Sequence, residues 1–124
     1  MKQFMITKAF AEQFAHHWID SWNAHNLEEV LVDYADDFEI ETPMALKLLP
    51  ESKGIVKGKN NVRTYWKMGL EKHSTLKFEL LDLLVGINSL TIYYMNNVTG
   101  KKTVEVLSFN QERKVNKALV NYSE

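Results

Sequence analysis

Residues 18–43 read WIDSWNAHNLEEVLVDYADDFEIETP. The two tryptophans extend a series that begins upstream. Phe10, Phe14, Trp18 and Trp22 recur every four residues, flanked by Ala11, Ala15 and Ile19, so residues 7–24 form a helix with one broad apolar face. Asn26, with Glu29 three positions later, has the pattern of a capping box and predicts a short second helix over 27–34, with Leu27, Val30, Leu31 and Tyr34 inward. Asp36-Asp37 mark the turn out of it. Phe38-Glu39-Ile40-Glu41-Thr42 alternates strictly, which predicts a half-buried strand with Phe38, Ile40 and Thr42 on one face. Pro43 ends that strand.

Downstream of Pro43 the stretch 44–58 is expected to be a loop. It is unusually apolar at its start, with Met44, Ala45, Leu46, Leu48 and Leu49, so it is expected to cover the mouth of something. A third helix is predicted over 59–72, with Val62, Tyr65, Trp66, Gly69 and Leu70 on its apolar side. The rest reads as strands. In LKFELLDLLVG, 76–86, the apolar parity runs 76, 78, 80 and then 81, 83, 85, a phase flip that predicts a β-bulge at Leu80-Leu81. Segments 89–96 and 102–109 flank Asn97-Val98-Thr99-Gly100, a hairpin signal, and a last strand is expected over 114–122. Helices followed by a run of antiparallel strands make this an α+β domain, and 124 residues make it a single one.

Composition narrows the function classes. With 15 basic and 16 acidic residues the net charge is −1, which supplies no electrostatic footprint for nucleic acid or an anionic membrane surface. There is no cysteine, so disulfides, thiolate metal sites and cysteine nucleophiles are all excluded. The stretch MKQFMITKAF has no continuous apolar core of the signal-peptide kind, and no apolar run approaches the ~18 residues of a membrane span. A cytoplasmic protein without membrane or nucleic-acid partners is expected.

Four segments together carry a family resemblance: W-IDSWNAHNLEEVL-DYADDFE at 18–39, GKNNVRTYW at 58–66, LKFELLDLLVGINSLTIYY at 76–94 and TVEVLSFNQERKV at 103–115. In this order the chain resembles the NTF2-like superfamily in its SnoaL-like branch, the group named for nuclear transport factor 2 and a polyketide cyclase. The resemblance implies a cone, in which a strongly curved antiparallel sheet is closed by three helices on its concave side around an apolar pocket. It also implies a small apolar molecule as ligand. A fold of this kind hosts many functions and specifies none.

Within such a cone the expected pocket residues are Trp18, Trp22, Tyr34, Phe38, Thr42, Trp66, Leu107 and Tyr122. For Trp18 and Trp66, wall and plain core are equally open readings, and core is favoured for Phe10, Phe14 and Trp22. Strand parity places Thr103, Glu105, Leu107 and Phe109 on one face and Val104, Val106 and Ser108 on the other. The steroid-isomerase branch of the superfamily carries a buried acid where this chain has Glu105. That resemblance makes Glu105 the candidate catalytic residue, a carboxyl whose pKa an apolar cone raises. The alternative is a Glu that faces solvent, or one held by a tryptophan N–H for structure alone. Two departures stand against isomerase chemistry. Thr42 stands where that branch has its catalytic Asp, and Trp18 where it has an oxyanion-stabilising Tyr.

The histidines point away from a metal. His16 and His17 are adjacent, so they project about 100° apart on a helix, and His16 with Asp20 forms only half a site. His25 is expected to satisfy backbone groups in the inter-helix turn, and His73 to sit at the end of the third helix. No metal or cofactor is expected. Two reading classes remain: a small acid–base enzyme of isomerase, cyclase or hydrolase type, and a non-catalytic binding or dimerisation module. Strands 89–95 and 103–109 are apolar on both faces, so a homodimer is expected through the outer sheet face, burying Val104, Val106 and one of Tyr93/Tyr94 over at least about 1,000 Å2.

Overall fold

The computed structural model describes residues 4–124. Helix α1 spans Lys8–Asn23, and Thr7 caps it by accepting the Phe10 amide at 3.1 Å. Helix α2, Leu27–Leu31, is capped by Asn26, which accepts the Glu29 amide at 3.1 Å. Glu29 does not reach back to complete a capping box. Its carboxylate instead takes His17 at 2.8 Å, which ties α1 to α2. Because α2 ends at Leu31, Tyr34 is not helical as expected but opens strand β1, Tyr34–Glu41.

The apolar stretch after Pro43 is not the expected loop. It holds α3, Pro43–Leu48, a 3-10 turn at Pro50–Ser52, and the short strand β2, Ile55–Lys57. The reason is local. Pro43 ends the strand because it cannot extend the ladder, but its fixed φ also suits the first position of a helix. Thr42 supplies the cap, accepting the Met44 amide at 3.3 Å. The helix count is therefore four rather than three, with α4 at Lys59–Lys72.

Strands β3, Phe78–Val85, β4, Ser89–Asn96, β5, Lys102–Phe109, and β6, Val115–Tyr122, complete a six-stranded sheet of order β2-β1-β6-β5-β4-β3. The meander β3 to β6 is antiparallel. Only β1 against β6 is parallel, a pairing the sequence reading did not contain. The β3–β4 register slips between Leu80 and Asp82, leaving Leu81 as the extra residue where the parity flip predicts a bulge.

Alternation gives the sheet two faces. Leu90, Ile92, Tyr94, Thr103, Glu105, Leu107 and Phe109 are buried on the inner face. The helices cover that face: Phe14 packs on Phe109 with ring centroids 5.1 Å apart, and Trp18 packs on Tyr94 at 5.3 Å. On the outer face Tyr93, Val104, Val106 and Leu119 are only half buried. Tyr93, not Tyr94, is thus the tyrosine of the outer face. No helix among the described residues is long and apolar enough to cross a membrane.

Candidate functional site

Between the helices and the inner face lies a cavity of about 110 Å3, measured as the space open to the centre of a water molecule. One water needs only about 10–15 Å3 by this measure, so there is room for a small organic molecule. Each layer contributes to the walls. The last turn of α1 supplies Trp22; α4 supplies Tyr65, Trp66, Gly69 and Leu70; and α3 supplies Met44 and Leu48. The sheet supplies Ile40, Phe78, Tyr94, Asn96, Glu105, Val120 and Tyr122, with Thr42 just beyond β1 and His73 and Leu76 between α4 and β3.

Glu105 is the only carboxyl in the lining, and its side chain is held by its strand. It pairs with Ile92 on one side and Val120 on the other, and it is 7% exposed. The Tyr94 hydroxyl donates to its Oε2 at 2.6 Å, a short, charge-assisted bond. Among the described residues this is the one side-chain hydrogen bond that Glu105 makes, and it leaves Oε1 without one. Burial pushes the Glu105 carboxyl up to about 7, against the opposing pull of the Tyr94 bond. Burial, then the charge of Glu105, raises Tyr94 well above the usual phenol range. Tyr122 and Tyr65 are raised too, chiefly by burial.

The remaining polar groups of the wall are mostly engaged. The Thr42 hydroxyl lies 3.1 Å from the Tyr122 hydroxyl while capping Met44. Trp22 is buried, and its Nε1–H has no acceptor among the described residues. Asn23, next to it, clamps the start of β3: its amide donates to the Phe78 carbonyl at 2.9 Å and accepts the Phe78 amide at 2.7 Å. That clamp places Phe78 against Trp18, Trp22 and Tyr94.

Half of the expected pocket residues lie elsewhere. Trp22, Thr42, Trp66 and Tyr122 line the cavity, whereas Trp18, Tyr34, Phe38 and Leu107 are fully packed core. Trp18 and Tyr34 satisfy each other, the indole N–H donating to the Tyr34 hydroxyl at 2.9 Å. Phe38 is stacked edge-on against Tyr34 with centroids 4.6 Å apart. Leu107 lies one inward position beyond Glu105, too far along β5 to reach the cavity. Trp22, favoured as core, is wall. Tyr94, Tyr65, Asn96 and the end of α4 were missed. Tyr94 shared its parity with Leu90 and Ile92, a signal that was present in the sequence.

The histidines do not gather. His17 bridges Glu29 at 2.8 Å and Asp33 at 3.1 Å, and these carboxylates raise its pKa. His25 reaches past the inter-helix turn to the Leu76 carbonyl at 2.8 Å. No group of three metal-ligating side chains converges among the described residues.

A family model described as a SnoaL-like domain matches residues 15–113, four fifths of the chain, from the second half of α1 through β5. The chain belongs to the SnoaL-like family. Among solved structures, a SnoaL-like protein of unknown function from Burkholderia thailandensis is 40% identical, covers 98% of this chain and 100% of its own, and superimposes with a TM-score of 0.92. A candidate isomerase of the SnoaL-like family from Agrobacterium tumefaciens is 13% identical, with 92% and 97% of the two chains covered and a TM-score of 0.72. A candidate ketosteroid isomerase from Kribbella flavida is 16% identical, with 92% and 78% covered and a TM-score of 0.66. The last two likenesses carry the fold alone. No protein of curated function matches the sequence. Glu105 is buried in this SnoaL-like chain, and Thr42, its hydroxyl already engaged by Tyr122 and Met44, stands where the isomerase resemblance called for an Asp.

Proposed function

We propose that this SnoaL-like protein binds a small, largely apolar molecule in the cavity and that Glu105 is the acid–base group that meets the ligand's polar atom. The observation that carries the reading is the state of Glu105. One oxygen is fixed by Tyr94, the other is unpaired, and the carboxyl titrates at about 7 within an apolar chamber. Such a group is half protonated near neutral pH, so it can either give or take a proton. Thr42 cannot be a base toward carbon. This speaks against two-carboxylate chemistry and for binding with single-group proton transfer. A thermal-shift screen of small cyclic alcohols, ketones and amines tests it. A ligand of the native state raises the melting temperature, and Trp66→Ala should abolish that rise.

The outer face supports a second part of the proposal, assembly as a homodimer. Across adjacent strands, Leu84, Thr91, Val106 and Leu119 form one continuous row, and Tyr93 and Val104 face each other in the next. Helices pack on the opposite face, so this apolar band has no cover within the chain. A second copy, applied by a two-fold axis, covers it with the same residues.

A further inference from the structure

We infer that the ligand's polar group is a cationic nitrogen, so that the cavity takes a small organic ammonium with an apolar body. The inference rests on the ligand-binding reading above and narrows it.

Two independent features of the chamber favour positive charge. First, Glu105 is the only carboxylate of the lining, no Lys or Arg shares it, and its unpaired oxygen is an acceptor waiting for a donor. Second, six rings surround the same space: Trp22, Tyr65, Trp66, Phe78, Tyr94 and Tyr122. Aromatic faces attract a desolvated cation through their quadrupoles, and tryptophan does so best. His73, which follows the last residue of α4, is the one ionisable base of the lining.

A neutral ligand leaves these features without use. The Tyr94 hydroxyl is given to Glu105 and the Tyr122 and Thr42 hydroxyls lie within bonding distance of each other, so a neutral acceptor placed at Glu105 meets its protonated form, the form that a bound cation displaces. The Trp22 indole N–H, without an acceptor among the described residues, is the donor left for a neutral group elsewhere on the wall. The two cases therefore differ in sign with pH. Cation binding strengthens as pH rises through about 7 and Glu105 ionises, whereas acceptance of a hydrogen bond from Glu105 weakens over the same range.

The test compares isosteric probes on the intact protein by calorimetry at pH 6 and pH 8: benzylammonium, benzyl alcohol and benzoate. The expected result is benzylammonium at least about tenfold tighter than benzyl alcohol at pH 8, a gap of one decade in Kd. That gap should narrow at pH 6, and benzoate should not bind. Glu105→Gln should erase the preference while still binding benzyl alcohol, which also shows that the variant is folded. Equal or tighter binding of benzyl alcohol by the wild type overturns the cationic assignment and leaves the apolar-ligand reading standing. If none of the three probes binds, both fail.

Discussion

The Tyr94 hydroxyl reaches diagonally across two adjacent strands to Glu105 Oε2, 2.6 Å away. The residue directly opposite Glu105 is Ile92, and the residue opposite Tyr94 is Thr103, so the pair is offset by one inward position on the same face. A diagonal pair of this kind is about 7–8 Å apart at the backbone, a gap a tyrosine spans and a shorter side chain does not. The bond holds a buried carboxyl in one orientation, with its second oxygen left for the cavity.

Removing that bond should raise the carboxyl further. Tyr94 is the group that holds Glu105 down against burial. In Tyr94→Phe the titration midpoint of the Glu105 carboxyl carbon, followed by carbon-13 NMR, should move above the wild-type value of about 7. An unchanged or lower midpoint would show that the hydroxyl does not stabilise the charged form.

Glu105 should make stability fall as pH rises. Its folded pKa of about 7 lies above the ordinary glutamate value of 4.5, so the native state favours the protonated form. Both states are protonated below about 4.5, and the advantage is lost as pH rises through 7. The span corresponds to roughly 3 kcal/mol. Glu105→Gln removes this dependence. Denaturant unfolding should find the variant more stable than wild type at pH 8, by on the order of 2–3 kcal/mol, and close to it at pH 5.

Core and wall should separate by their effects. Trp18→Phe leaves the buried Tyr34 hydroxyl without its indole donor, so it should cost about 1–3 kcal/mol in unfolding free energy with little change in ligand affinity. Leu48→Ser, in the short helix over the cavity, should weaken ligand binding severalfold with a smaller stability loss. Leu46, 53% exposed on the same helix, should tolerate serine in both measurements.

The outer face should govern assembly. Light scattering at micromolar concentration should give a mass near twice 14.4 kDa for the wild type and 14.4 kDa for Val104→Lys with Val106→Lys. A wild-type monomer would end the dimer proposal without touching the cavity.

Much of this architecture is written in alternation. The inward set Thr103, Glu105, Leu107 and Phe109, and the bulge at Leu81, follow from period two and its single break. Alternation says which face a residue takes, not how far along the cone it lies. Trp18 and Trp22 share one helical stripe, yet one turn of about 5.4 Å separates sealed core from cavity wall. Leu107 and Glu105 differ likewise by one inward step. Thr42-Pro43 was ambiguous for another reason: the same dipeptide stops a strand and starts a helix, and the missing helix was α3. The end of α4 was not legible as wall, because only the tertiary fold brings Gly69 and Leu70 to the same cavity as Tyr94 and Glu105.

The protein has three tryptophans, and their indole N–H signals report the cavity directly. Trp22 and Trp66 line it, and Trp18 is sealed in the core with its N–H on Tyr34. In a proton–nitrogen-15 spectrum titrated with benzylammonium and, separately, benzyl alcohol, the Trp22 and Trp66 indole signals should shift saturably with at least one of them, while Trp18 stays in place. Signals unmoved by both probes, or a Trp18 shift as large as the other two, would contradict a ligand site beside Glu105.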